Sequence, residues 1–258
     1  MTAPPGRAPG LNVEAGLHDC GYRLVAGVDE VGRGCLSGPV TVGVVLVGRD
    51  QGRPPRGLRD SKLLTPAARR ALVPRIQRWV SGWAVADATA VEIDSIGIIA
   101  ALRLAGHRAL AALPMAPDCV LLDGNHDYLT PCLDDGLWPA DPFPPVRTEV
   151  KADLRCASVA AASVLAKTTR DAYMTALAPD HPEYGWEINK GYATPGHRAA
   201  LRAVGPSPHH RLSWRLGVDQ PEKELERQDG ALMVLEELQL DLGSLERHRC
   251  GLSQEVRA

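Results

Sequence analysis

The sequence lacks any run of about 18 apolar residues, and residues 1–10 lack the apolar core of a signal peptide. Its six cysteines include no C-x-x-C pair, which argues against a zinc knuckle and against a disulfide framework. A formal net charge of −2 provides no overall attraction to nucleic acid, so such binding would need a local basic patch. We therefore expect a cytoplasmic protein with reduced thiols mostly in its core, no membrane partner and a monomeric state.

The chain has 258 residues, of which 45% are hydrophobic, and this suits one large domain with ample core. Runs rich in valine and leucine, bounded by glycine and proline, predict the first two strands, and alternation predicts the third. A threonine cap followed by proline predicts the first helix, apolar residues at three- and four-residue steps predict the second, and an alanine-rich run predicts the third. Strands are predicted at Leu24–Val28, Val40–Val47, Trp83–Thr89, Cys119–Asp123 and Val146–Val150, and helices after Thr65, at Ser95–Leu113 and at Leu154–Leu177.

This order of elements predicts an α/β fold, with a central mixed five-stranded sheet flanked by helices. We expect a flexible N-terminal segment at residues 1–20, a main domain at residues 21–217 and a small, acidic helical extension at residues 218–258. Within the extension, Glu222–Leu242 is an amphipathic stretch that carries leucines.

Acidic residues recur at the ends of the predicted strands. Asp29 and Glu30 end the first strand, Asp123 ends the fourth, and Asp153 lies between the last strand and a long helix. If these strands are neighbours in the sheet, the carboxylates meet at one point, where a hard divalent cation with oxygen ligands is the usual partner. Two such cations can convert water to hydroxide and stabilise a leaving alkoxide in phosphodiester hydrolysis.

Side chains alternate along a strand, so Asp29 and Glu30 share a site only if the chain bends there. Gly32 and Gly34, on either side of Arg33, provide permissive backbone for such a bend.

Each acidic residue also has an ordinary structural explanation. Asp153 could cap a helix, Asp123 with Gly124 could form a turn, and Asp29 and Glu30 could pair with Arg33. The combination is far less expected by chance than any single member.

Two basic groups of residues have ordinary explanations as well. Lys167, Arg170 and Asp171 have the i, i+3, i+4 spacing of a solvated ion-pair face on a helix. The run His209-His210-Arg211 could provide ligands or phosphate contacts, although such residues are more often at the surface.

The residues resemble the type 2 ribonucleases H, specifically the ribonuclease HII family, from about Leu24 to Trp214. The segments that carry the resemblance follow the family's order along the chain. They are Val28-Asp-Glu-Val-Gly-Arg-Gly34 with Ser37-Gly-Pro39, Asp60-Ser-Lys-Leu63, Leu121-Leu-Asp-Gly124, Lys151-Ala-Asp153, Ala160 to Lys167 with Arg170-Asp171, and Lys190-Gly-Tyr192.

The resemblance implies an RNase H-like catalytic domain and assigns roles to residues. The family's four catalytic, metal-binding carboxylates fall on Asp29, Glu30, Asp123 and Asp153. The implied cofactors are two divalent ions, Mn²⁺ or Mg²⁺. It implies that Gly32, Arg33 and Gly34 contact the ribonucleotide and that Tyr192 packs near its sugar. Candidates for holding phosphates along the groove are Lys62, Lys167, Arg170 and Lys190.

The expected reaction is endonucleolytic cleavage of the RNA strand of RNA/DNA hybrids, and of duplex DNA 5′ of an embedded ribonucleotide, in ribonucleotide removal from DNA. Two alternatives stay open. A nucleic-acid-binding module without catalysis would be expected to lose a carboxylate, whereas all four are present. A related two-metal exonuclease would more typically show Asp-x-Glu on its first strand than adjacent acids.

Overall fold

The computed structural model describes residues 8–131 and 143–217, and it contains the predicted mixed five-stranded sheet. The strand order is β3-β2-β1-β4-β5, in which β1 pairs antiparallel with β2 and parallel with β4. The strands are β1 (Leu24–Val31), β2 (Val40–Gly48), β3 (Gly82–Ala88), β4 (Cys119–Asp123) and β5 (Val146–Glu149).

Seven α-helices lie in the described residues, and both faces of the sheet are covered. They are α1 (Asn12–Asp19), α2 (Pro66–Trp79), α3 (Ala90–Ala111), α4 (Ala152–Arg155), α5 (Ala157–Leu177), α6 (Trp186–Asn189) and α7 (Pro195–Val204). One core lies between the sheet and α5, and a second lies between the sheet and α3. The central strands are therefore buried on both faces, which explains why β2 is apolar almost throughout.

Close packing of α5 on the sheet depends on glycine and alanine. A Cβ built at Gly43 in β2 would lie 2.5 Å from the carbonyl oxygen of Ala162 in α5. A Cβ at Gly27 in β1 would lie 2.4 Å from Ser158 Oγ. Because the helix backbone almost touches the strands, it carries the residues of α5 directly over the end of β1 where Asp29 lies.

Two predicted helices have different boundaries in the structure. Helix α3, predicted at Ser95–Leu113, begins at Ala90, because Thr89 and Glu92 form a reciprocal capping box. The predicted helix at Leu154–Leu177 is two helices, separated by Cys156 with extended backbone (φ −106°, ψ 122°). The Thr65 cap is confirmed, since its side chain accepts a hydrogen bond from Ala68 N.

The expectation of a flexible segment at residues 1–20 is wrong for residues 12–19, which form α1. Leu17 is buried in the core beneath α5, and Leu11 and Val13 pack against the same core. Glu14 is fully buried on that face of the helix. Burial of this apolar side orders a segment whose length alone gives little helical stability.

The extension at residues 218–258, including Glu222–Leu242, lies outside the described residues. Among the residues that are described, no helix is long and apolar enough to span a membrane. The four described cysteines are free thiols, and Cys35, Cys119 and Cys156 are buried, as expected.

The contact between Gly43 and α5 predicts a large difference between two glycines of one strand. Gly43→Ala should lower the free energy of unfolding by about 1–3 kcal/mol, because the new methyl group overlaps the Ala162 carbonyl. Gly48→Ala is the matched control, since its Cβ would meet no described atom closer than 3.8 Å. Urea denaturation measures both changes, and equal effects would contradict the packing described.

Candidate active site

The first two carboxylates lie at the end of β1, on opposite faces of the sheet. The strand does not bend there: Asp29 pairs with Gly43 and Glu30 with Val42 in unbroken antiparallel register. Asp29 is only 3% exposed, and its Oδ1 accepts a hydrogen bond from Glu30 N at 2.8 Å. The bend considered from the sequence is therefore absent, and the two side chains leave the strand in different directions.

Glu30 has partners of its own. Its carboxylate lies 3.6 Å from Arg33 Nη1 and accepts a hydrogen bond from the Tyr128 hydroxyl at 3.3 Å. The ion pair with Arg33, considered above as the ordinary explanation, thus exists for Glu30 but not for Asp29. Tyr128, buried beneath Glu30, has no counterpart in the sequence reasoning.

The other two carboxylates come from β4 and α4. Asp123 ends β4, which runs parallel to β1, so both strands deliver acids at the same edge. Asp123 Oδ1 accepts a hydrogen bond from Ala152 N at 2.7 Å, which fixes the start of α4 and with it Asp153. Lys62 Nζ lies 3.4 Å from Asp153 Oδ2. The Asp153 side chain makes no N-cap bond to α4, which has Lys151 at its N-cap.

Burial favours the protonated forms of Asp29, Glu30 and Asp123, and neighbouring acids add to this effect. Burial raises the pKa of Asp29 to about 8, and the charges of Glu30 and Asp123 add to that effect. The pKa of Asp123 is also raised, by burial and then by Asp153. Burial raises the pKa of Glu30 as well, although Arg33 opposes the shift. The nearby cations Arg33 and Lys62 therefore do not offset the combined effect of burial and neighbouring acids on these pKa values.

Lys62 is the cation that lies beside Asp153. Burial alone would lower the pKa of Lys62, but the carboxylates of Asp29, Asp60 and Asp153 together raise it. The side chain is nevertheless 70% exposed, so its ammonium group lies at the solvent edge of the cluster.

The donor chemistry fits hard divalent cations, because Asp29, Glu30, Asp123 and Asp153 offer carboxyl oxygens at the same end of the sheet. Within residues 8–131 and 143–217, however, no three histidine, cysteine or acidic side chains converge closely enough to hold one ion. Neighbouring acids raise the pKa values of Asp29, Glu30 and Asp123, and a bound cation would oppose that effect. The residue types and their common edge therefore fit a metal centre, while the side chains are not drawn together around one point.

Beside the carboxylates, two buried arginines hold the β1–β2 connection, residues 32–39. Arg211 is fully buried and donates to the carbonyl oxygens of Gly32 at 2.7 Å and Arg33 at 2.9 Å. It also donates to Gly38 O at 3.1 Å and to Pro39 O at 3.2 Å. Burial lowers the pKa of Arg211 to about 10, which still leaves it charged at neutral pH.

The expectation that Arg170 holds a substrate phosphate is corrected by its position. Its side chain is 0% exposed and donates to Pro39 O at 2.8 Å, Ser37 O at 3.0 Å and Lys190 O at 2.9 Å. It also lies under Gly32, where a Cβ would be 2.1 Å from its Nε. Arg170 therefore shapes the loop from within. The alternative prediction, that Arg170 belongs to a solvated ion-pair face of the helix, is also wrong, because the side chain is buried.

The remaining predicted substrate-binding residues lie around Tyr192, which is 39% exposed. Its ring centroid is 5.4 Å from Lys167 Nζ, and that ammonium group also pairs with Asp171 Oδ1 at 2.7 Å. Lys190 Nζ donates to Thr175 Oγ1 at 2.6 Å, and burial lowers its pKa. Both lysines are thus engaged by the protein, whereas Lys62 and Arg33 have more exposed side chains.

Leu36 N donates to Gly191 O at 2.9 Å, which joins the Tyr192 segment to the loop at residues 32–39. Burial raises the pKa of Tyr192 to about 12, and the neighbouring Cys35 adds to this, so its hydroxyl stays protonated at neutral pH. The structure therefore places the loop at residues 32–39, which contains Gly32, Arg33 and Gly34, next to the segment that carries Tyr192.

Two buried histidines, His197 and His210, form a hydrogen-bonded pair that holds the backbone of Tyr192. The carbonyl oxygen of Tyr192 can only accept, so His197 Nδ1, 2.9 Å away, carries a hydrogen. Ser207 N donates to His210 Nδ1, so His210 Nε2 carries a hydrogen and donates to His197 Nε2 at 3.0 Å. Burial lowers the pKa of both rings, that of His210 to about 4, and keeps them neutral.

The run His209-His210-Arg211, for which the sequence suggests ligands, phosphate contacts or surface residues, contains two buried residues. Arg211 bonds the loop, and His210 donates to His197, which bonds Tyr192. The signal that could have found Arg211 is weak, because its partners are backbone carbonyls about 175 residues earlier in the chain.

Both non-glycine residues with positive φ among those described are lysines close to this site. Lys151 (φ 59°) lies two residues before Asp153, and Lys190 (φ 51°) lies two residues before Tyr192. Each therefore turns the chain sharply just before a candidate site residue.

Comparison with known proteins places these features in context. A family model described as ribonuclease HII matches residues 26–216. The ribonuclease HII of Streptomyces coelicolor is 49% identical over 211 residues, which cover 81% of this chain and 85% of that protein. Among solved structures, ribonuclease H2 from Pyrococcus horikoshii is 28% identical with a TM-score of 0.59, over 75% of this chain and 94% of that one. Bst-RNase HIII in complex with Mn²⁺ shares the fold at 22% identity with a TM-score of 0.57, over 77% of this chain and 69% of that one.

The raised pKa of Asp29 predicts that the metal-free protein loses stability as the pH rises from 6.5 to about 8. In that range the unfolded carboxylate is ionised while the folded one retains its proton, so the folded state binds more protons and alkali favours unfolding. Asp29→Asn should reduce this slope by up to about 1 kcal/mol per pH unit. Glu30 and Asp123 act in the same direction and leave a residual slope.

Urea denaturation in EDTA at several pH values measures the slope. Asp50→Asn, which changes an exposed carboxylate in the loop after β2, is the control and should keep the wild-type slope. An unchanged slope in Asp29→Asn would show that burial of this carboxylate has no energetic consequence.

Proposed function

The chain belongs to the ribonuclease HII family, and we propose that it nicks duplex DNA 5′ of an embedded ribonucleotide by a two-metal-ion mechanism. As a member of that family it is an endonuclease that hydrolyses the RNA strand of RNA/DNA hybrids. The proposed products carry 3′-hydroxyl and 5′-phosphate ends, and the proposed role is ribonucleotide removal from DNA. We expect it to act as a monomer in the cytoplasm, as the sequence predicts.

The observation that carries the proposal is the position of the carboxylates beside a rigid loop with accessible backbone. Asp29 and Asp123 lie at one edge of the sheet, and the loop that follows β1 has Arg33 and Gly34 exposed. A single internal 2′-hydroxyl distinguishes the cleaved position from the surrounding DNA, so the recognising groups must be both close to the acids and fixed.

The two glycines of this loop have different reasons to be glycine. Gly32 has a φ of +86° and no space for a side chain, so the fold requires it. Gly34 has no positive φ, and a Cβ built there would meet no described atom within 4 Å. Since the protein itself does not demand a glycine at 34, close approach of the substrate backbone is the reason that we propose.

Asp29, Glu30, Asp123 and Asp153 are the residues that would hold Mn²⁺ or Mg²⁺, and a Mn²⁺ complex of the fold relative Bst-RNase HIII supports that choice. When bound, the ions supply activation of water and stabilisation of the leaving oxygen. The chain's own contribution is to position the substrate. Lys62, exposed beside Asp153, would contact a phosphate.

The ribonucleotide itself would lie between the loop and Tyr192. The half-exposed Arg33 guanidinium can contact a phosphate while Glu30 restrains it. Tyr192 offers the flat, partly exposed ring on which a sugar can pack, and Lys167 and Lys190 beside it add positive potential.

The reaction is tested with a DNA duplex that contains one internal ribonucleotide and a label at either end. We expect a single Mn²⁺-dependent nick on the 5′ side of the ribonucleotide, with no cleavage of an all-DNA duplex or in EDTA. Asp123→Asn should lower the rate at least about 100-fold, since even the partners of metal ligands can matter that much. Asp50→Asn is the matched control.

Other outcomes would reject the proposal in different ways. Progressive shortening from an end would indicate an exonuclease. Tight binding without cleavage would indicate a binding module of this fold.

The role of Gly34 predicts a loss of activity without a loss of stability. Gly34→Ala should lower kcat/KM on the ribonucleotide duplex roughly 10- to 100-fold, because small displacements of bound substrate carry such penalties. Its free energy of unfolding should stay within about 0.5 kcal/mol of the wild-type value. Gly196→Ala, at an equally open position in the first turn of α7, should change neither quantity substantially. Wild-type kinetics in Gly34→Ala would remove this loop position from the substrate contact.

A further inference from the structure

The N-terminal segment is attached to the junction between α4 and α5, close to Asp153. Gly10 N donates to Arg155 O at 3.1 Å, and Ala157 N donates to Gly10 O at 2.8 Å. These two bonds form a short parallel bridge across Cys156, the extended residue between the helices. The segment therefore binds the end of the helix that carries Asp153.

Glu14 makes the second attachment, from inside the protein. Its side chain is 0% exposed, and Oε1 accepts hydrogen bonds from Ser158 N at 2.9 Å and Ser158 Oγ at 2.7 Å. Ser158 lies in the first turn of α5, whose own N-cap residue, Cys156, makes no side-chain cap bond. A carboxylate from elsewhere in the chain thus takes the place of the missing cap, where it also interacts favourably with the helix dipole.

Ser158, which Glu14 binds, also contacts the sheet. Ser158 is in contact range of Gly27 in β1, where a Cβ would be 2.4 Å from its Oγ. Gly27 lies two residues before Asp29. Ser158 therefore contacts both Glu14 and β1, and loss of the Glu14 carboxylate leaves its amide and hydroxyl without that acceptor.

The helix α4 depends on such external bonds because it has only four residues, too few to hold its own conformation. At its start Ala152 N is bound by Asp123 Oδ1, and at its end Arg155 O is bound by Gly10 N. These two hydrogen bonds hold the two ends of α4, and together they set the direction of the Asp153 side chain.

We propose that Glu14 is a positioning residue for Asp153, acting through Ser158 and the α4–α5 junction, so that the N-terminal segment is part of the catalytic centre. The importance of Asp153 in this inference rests on the proposed function. Glu14 itself does not contact substrate.

The test compares Glu14→Ala with Glu14→Gln, which retains an oxygen able to accept both Ser158 bonds, and with Asn12→Ala, an exposed change in the same helix. For Glu14→Ala we expect kcat to fall roughly 10- to 100-fold with little change in KM, because the substrate contacts of Arg33 and Tyr192 lie elsewhere. Glu14→Gln should restore most of the rate, and Asn12→Ala should match the wild type.

A second readout does not depend on nuclease activity. Amide hydrogen exchange below the melting temperature should become faster in Glu14→Ala across residues 150–158, while peptides from β2 keep their protection. Equal acceleration everywhere, or unchanged exchange with unchanged kcat, would overturn the proposal. A wild-type protein without nuclease activity, combined with the local loosening, would instead refute the proposed function and leave the positioning role standing.

Discussion

Two buried guanidinium groups determine where the β1–β2 connection lies, and the proposed site depends on that connection. Arg170 comes from α5 and Arg211 from the end of the described chain, yet both donate to carbonyl oxygens between Gly32 and Pro39. Hydrogen bonds from charged donors each contribute about 1.5–3 kcal/mol, and breaking one leaves a buried charge without its partner. The loop therefore has few alternative conformations, although it lies beside a cluster of repelling carboxylates.

The same arrangement separates positive and negative charge. Within the part of the chain that the structure describes, Arg170 and Arg211 form no ion pair with the four carboxylates, because their hydrogen bonds go to backbone carbonyls. No buried arginine therefore opposes the effect of burial on Asp29, whose pKa is raised to about 8. This separation leaves the four carboxylates without a buried arginine partner, whereas the loop amides of Cys35, Leu36 and Gly38 already donate to backbone carbonyls.

Sequence patterns predicted the parts of this structure that depend on local information. The first two strands and the fourth were found because each is a short apolar run, and the third because its residues alternate. Asp29, Glu30 and Asp123 were found because charge at the end of an apolar run is unusual. Helix α1 was missed because its order comes from burial of Leu17 and Glu14 against distant elements. Arg170 was assigned to the surface because i, i+3, i+4 spacing describes one helix and carries no information about the loop packed on it. The assigned roles of the four acids and of the Gly32–Gly34 loop remain predictions.

The two lysines at positive φ, Lys151 and Lys190, have an implication for engineering. A residue with a side chain costs of order 1–3 kcal/mol in such a conformation, whereas glycine adopts it without strain. The chain thus tolerates a stability deficit at both turns and retains a cation at each. Thermostabilisation could therefore begin at Lys151 and Lys190 rather than in the densely packed core, at the expense of positive charge where a polyanion would arrive.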